Sequence, residues 1–129
     1  NIEVVSDISK NPLDINGLLD ALEIGNLKNR FPRELSDGQQ QRVAIARAMI
    51  KNPKLLLCDE LTGALDTASS REVLKLIERL NGLYGTTILI ITHNTVIADM
   101  ADRIVTVKDG KVTECRENLH KIKAEELEI

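Results

Sequence analysis

The sequence predicts an α/β fold built on a parallel sheet, with a helical portion before it and a β-hairpin after it. Three observations carry this reading. Two short, continuously apolar runs, 55–58 and 86–91, have the length and aliphatic content of strands buried on both faces of a parallel sheet. Between them Val73, Leu76, Ile77 and Leu80 recur at helical spacing, which predicts a long helix over 69–80. The alternating stretches 103–108 and 111–115 flank Asp109-Gly110, a pair suited to the tight turn of a hairpin. Strand, helix, strand, helix, hairpin is the order of an α/β chain.

In chain order, residues 1–34 read as a small helical segment. Asn16 caps a helix through Ala21 and Ile24, with Leu18, Leu19 and Leu22 on one face and Gly25 or Asn26 ending it. Ser36 opens the strongest helix signal. Ser36 and Gln39 stand in capping-box spacing, Val43, Ala44, Ala46, Met49 and Ile50 give the apolar side, and Asn52-Pro53 stops the helix. The first strand ends on Asp59 and Glu60. Gly82 to Gly85 makes the turn into the second strand, which ends at Thr92-His93-Asn94. A short helix over 96–101 leads to the hairpin, and 119–127 reads as a charged helix. The chain divides into a helical portion, 1–52, and a sheet portion, 53–129.

Composition narrows the function. Seventeen basic residues stand against twenty acidic ones, net charge −3, which argues against a nucleic-acid-binding surface. Phe31 and Tyr84 are the only aromatic residues, leaving little to stack bases on. No apolar run approaches the roughly twenty residues that span a bilayer, so a membrane role would come through a partner. Cys58 and Cys115 lack paired spacing and read as free thiols, Cys58 as a small buried hydrophobe. The chain opens at Asn1 with no signal-like segment and reads as an excerpt of a longer one.

Asp59 and Glu60 follow an apolar strand at its carboxyl end, where open α/β sheets place their ligands. Adjacent carboxylates there can divide labour, one holding Mg²⁺ and the other orienting or deprotonating a water. The plainer alternative is an acidic pair opening a solvated loop. Ser36 and Gly38 sit at a helix start, where unpaired N–H groups and the helix dipole favour an anion, or they simply cap the helix. His93 closes the second strand and either shares a crevice with Glu60 or is an ordinary surface histidine. Asp66 either caps the following helix or fixes a loop. No glycine-rich phosphate loop of the G-x-x-x-x-G-K-[ST] kind occurs; Gly110-Lys111 belongs to the hairpin turn. In this order and spacing the residues point to nucleotide hydrolysis by a chain that carries part of the site.

Residues 35 to 110 resemble the C-terminal half of an ABC transporter ATPase subunit, a P-loop NTPase domain. Leu35-Ser36-Asp37-Gly38-Gln39 matches its signature motif, and the run from Leu55 to Glu60 its Walker B strand. Gly63-Ala64-Leu65-Asp66 matches its D-loop and His93 its switch histidine. The resemblance implies a partial domain, with the Walker A strand missing from this stretch, working in a head-to-tail dimer that sandwiches ATP. Ser36 and Gly38, with Gln39 beside them, would contact the γ-phosphate held by the opposite subunit. Asp59 would support Mg²⁺, Glu60 would be the general base, His93 would sense the γ-phosphate, and Asp66 would couple the two sites. A transmembrane permease subunit is the implied second partner, which places the protein in the cytoplasm, peripheral at the inner face of the cell membrane.

The run Asp59-Glu60-Leu61-Thr62-Gly63-Ala64-Leu65-Asp66 looks most like the subgroup serving lipoprotein release, macrolide export and antimicrobial-peptide export. The alternatives are a non-transport ABC ATPase, or a non-catalytic module that docks on a complete partner. Two residues depart from the pattern. Asp37 stands where the family has glycine, adding a carboxylate that a helix start tolerates. Leu61 replaces proline after the general base. Without a Walker A strand beside it, the 86–91 strand is expected to expose an apolar edge, and the chain by itself to self-associate, rearrange or be marginally stable.

Overall fold

The computed structural model describes residues 1–129. Its centre is a parallel pair of strands, β1 (Leu55–Asp59) and β2 (Thr87–Ile91), joined by one long helix, α4 (Thr67–Tyr84). Leu55 stands opposite Thr87 and Asp59 opposite Ile91, so both strands end level. The helix begins where Asp66 accepts a hydrogen bond from the Ser69 amide at 3.0 Å and ends at Gly85, whose φ of 65° closes it in the left-handed conformation. It is longer than expected at both ends: Gly82 lies within it, and Gly85 alone makes the turn.

Leu56 and Cys58 of β1 face Val73, Leu74, Leu76, Ile77 and Leu80 of α4 in one core. The opposite face of the sheet is bare. Leu55, Leu57, Leu89 and Ile91 are 47–63% exposed there, because helices cover only one side of the two strands. The expectation of strands buried on both faces therefore fails for these residues.

The helical portion comprises α1 (Ile2–Asp7), α2 (Ile15–Ala21) and α3 (Asp37–Met49). Asp14, not Asn16, caps α2: its extended backbone lets the carboxylate accept from the Gly17 amide at 2.8 Å, while the Asn16 side chain accepts from Lys28 Nζ. Glu23, at φ 57°, lies just past the end of that helix, before Gly25. α3 starts as expected. The Ser36 amide donates to Gln39 Oε1 at 3.1 Å and the Gln39 amide to Ser36 Oγ at 3.2 Å. Leu18, Leu22, Met49 and Ile50 are fully buried, joining this portion to the core of α4.

After β2 the chain makes a 3₁₀ stretch (Thr95–Met100) rather than an α-helix, then the hairpin β3 (Arg103–Lys108) and β4 (Lys111–Glu117). Asp109 and Gly110 both take positive φ, 49° and 72°, as a tight hairpin turn requires. The expected charged helix over 119–127 shrinks to one 3₁₀ turn (Ala124–Glu126). Its polar backbone groups are engaged elsewhere: the Ala124 amide donates to Glu78, and the Leu127 carbonyl accepts from Arg71 Nη2 at 3.0 Å. Ala124 and Leu127 are buried against α4, which turns the segment into a strap.

Candidate functional site

Parallel strands that end level deliver the residues that follow them to one place. Beyond Asp59 the Glu60 amide donates to the Ile91 carbonyl at 2.9 Å, carrying the ladder one step past β1. Glu60 then turns the chain with φ 49°, a left-handed conformation that non-glycine residues keep only where neighbours hold it. The Gly63 amide returns to the Glu60 carbonyl at 3.0 Å and closes the turn. The Glu60 side chain thereby meets His93 at the end of β2, with both carboxylate oxygens 3.0 Å from His93 Nδ1.

This pair borders an open crevice of about 210 Å³, lined also by Thr62, Ser70, Thr92 and Asn94. The Glu60 and His93 side chains are 44% and 82% exposed, so water reaches both. A carboxylate within hydrogen-bond distance of an imidazole, open to solvent, can orient a water and accept its proton.

Asp59 lies outside this crevice lining, exposed at the last position of β1. No three His, Cys, Asp or Glu side chains gather into a metal-binding group. Mg²⁺ takes one or two carboxylates and completes its shell with waters and substrate phosphates, so a single exposed carboxylate such as Asp59, next to Glu60 in the chain, suits that ion better than one needing a protein cage.

The remaining expected site residues lie at two helix starts. Asp66 is occupied as a cap, accepting from the Ser69 amide and, at 2.7 Å, from Ser69 Oγ; these two bonds hold its carboxyl below the usual range. Ser36 and Gln39 are engaged with each other, and Asp37 sits in the first turn of α3. Gly38 faces the start of α4: a Cβ there would stand 3.7 Å from Ser69 Cβ and Oγ, ordinary contact distance. Ser36, Gly38, Gln39 and Asp66 are not among the residues lining the Glu60–His93 crevice.

One contact has no counterpart in the sequence reading. Gln41 Nε2 donates to the Leu61 carbonyl at 3.3 Å, linking α3 to the loop after Glu60. A polar residue in a polar helical turn gives no periodicity signal that would reveal it.

Against known proteins, residues 5–63 match the family model described as ABC transporter. A methionine import ATP-binding protein of Staphylococcus aureus is 46% identical over 101 residues, 78% of this chain and 30% of its own length. A macrolide export ATP-binding/permease protein of Rhodospirillum rubrum is 48% identical over 99 residues, 77% of this chain and 15% of its own. The dimeric structure of a bacterial ABC transporter cassette superposes with a TM-score of 0.67 at 34% identity, covering 90% of this chain and 54% of that one. The chain spans about a third of the length of the first curated relatives it matches, 32% and 28%.

Proposed function

The chain is homologous to the ATP-binding domains of ABC transporters, and we propose that it supplies the water-activating and partner-facing elements of an ATP-hydrolysing subunit. The observation that carries this is the Glu60–His93 pair at the level ends of two parallel strands. In the proposed reaction a water held at Glu60 attacks the γ-phosphorus. The new O–P bond forms as the bond to ADP breaks, and the water's proton passes to the Glu60 carboxylate. His93 fixes that carboxylate and is the proposed sensor of the γ-phosphate. Mg²⁺ held at Asp59 would neutralise charge on the phosphates.

Ser36 and Gly38, at the start of α3, are the proposed contacts for a γ-phosphate bound by a second subunit in a head-to-tail dimer. Gln39 keeps Ser36 in place through the capping box. Asp66, capping α4 close to Gly38, is the proposed link between the two sites. The cassette superposed above is dimeric by its own description, which supports the arrangement. Work on a membrane permease subunit, at the inner face of the cell membrane, belongs to the same proposal; no helix of this chain is long and apolar enough to cross a membrane. The Asp59-to-Asp66 run favours the exporter subgroup. Import and export relatives match at almost equal identity, so overall likeness does not choose between directions.

The test is Glu60→Gln in the protein that joins this chain to a phosphate-binding loop. ATP turnover should fall on the order of 100-fold or more while ATP binding persists. Retained turnover contradicts the role given to Glu60.

A further inference from the structure

We propose that Gln41 is a positioning residue for Glu60, tying α3 to the loop on which Glu60 stands. The inference rests on the reading of Glu60 as the base. Glu60 has a left-handed backbone, φ 49°, and such a conformation persists only where the surroundings over-determine it. Two bonds hold it from within the sheet portion, Glu60 N–H to the Ile91 carbonyl and Gly63 N–H to the Glu60 carbonyl. The third anchor comes from the helical portion: Gln41 Nε2 donates to the carbonyl of Leu61, the next residue along. Leu61 is itself buried, so its side chain is anchored in the core as well.

The same helix lies beside the start of α4. Gly38, one turn before Gln41, faces Ser69, the residue that Asp66 holds through two hydrogen bonds. The first two turns of α3 thus bond the loop at Leu61 and lie beside the start of the helix that follows it. A displacement of the α3 start moves Gln41 with it, since a hydrogen-bonded helix shifts as a unit. The direction in which Glu60 aims its carboxylate then depends on where α3 sits. The plainer account is a structural bond that merely adds stability, and the experiment separates the two.

Gln41→Glu keeps the shape but, ionised, has no N–H to donate; Gln41→Lys keeps a donor of similar reach. In the protein that joins this chain to a phosphate-binding loop, kcat and KM for Mg-ATP are measured for both variants, with and without Glu60→Gln. Gln41→Glu should lower kcat about tenfold with KM unchanged, as a small misplacement of a reacting group does. Gln41→Lys should return to within about threefold of the parent, and in the Glu60→Gln background neither should lower residual turnover further. Should Gln41→Glu fail to fold, Gln41→Met, of like length and without a donor, carries the same expectation. Unchanged kcat in the donor-less variant, or an equal loss in the Glu60→Gln background, overturns the proposal. If Glu60→Gln alone keeps full turnover, the reading of Glu60 fails first and the role of Gln41 falls with it.

Discussion

Glu60 and His93, 33 positions apart in the chain, meet with both carboxylate oxygens 3.0 Å from the imidazole Nδ1. Nothing local brings them together. The parallel register, with Asp59 opposite Ile91, sets the two strand ends level, and the left-handed turn at Glu60 swings its side chain toward β2. The site is a product of register plus one strained residue.

Asp66 gives the pH prediction. Its carboxyl is held below the ordinary value of 3.8, first by the Ser69 amide and then by the Ser69 hydroxyl. A depressed folded-state pKa stabilises the fold above the unfolded-state value, and that contribution is lost as pH falls through the folded-state one. Asp66→Asn should therefore cost a little thermal stability at neutral pH and flatten its decline below pH 3.8, the two proteins converging at the acid end. The carboxylate is in full contact with water, so the difference is small. Unfolding midpoints of both proteins from pH 7 to pH 2 check it, and identical acid limbs contradict it.

The bare sheet face predicts association. Leu57 and Leu89 stand opposite each other in register, 63% and 47% exposed, flanked by Leu55 and Ile91. An apolar face continuous with unpaired strand edges is a site for pairing between chains. The 129-residue chain should sediment as a concentration-dependent oligomer. Leu57→Lys combined with Leu89→Lys should shift it toward monomer. A wild-type chain that stays monomeric at every concentration rules this out.

The sequence was most legible where one residue decides a local geometry. Ser36 and Gln39 announced the start of α3, and Asp109-Gly110 announced the hairpin. Asp14 was missed in favour of Asn16 because both are good caps, and tertiary placement chose between them. The stretch 119–127 reads as a helix because its charge pattern hides that Ala124 and Leu127 are the residues that pack. The order of the motifs is what singles out Glu60 and His93 in the sequence. The side-chain bond from Gln41 to a main-chain carbonyl twenty positions away leaves no trace in periodicity or composition.

The two cysteines should differ in reactivity. Burial pushes the Cys58 thiol up to about 11, whereas Cys115 is exposed on β4. At pH 8 the buried thiol is only about a thousandth ionised, and the thiolate is the reacting form. Iodoacetamide should label Cys115 alone in the folded chain and both residues after denaturation, as read by peptide mass mapping. Early labelling of Cys58 would show that β1 opens readily from α4.

The most direct test of the central claim is a calorimetric titration of Mg-ATP into the 129-residue chain, beside the same chain joined to a phosphate-binding loop. The account predicts binding only to the joined protein, because Glu60, His93, Ser36 and Gly38 act on a phosphate held by other residues. Tight binding by the 129-residue chain alone would contradict it, since its own residues would then be holding the nucleotide.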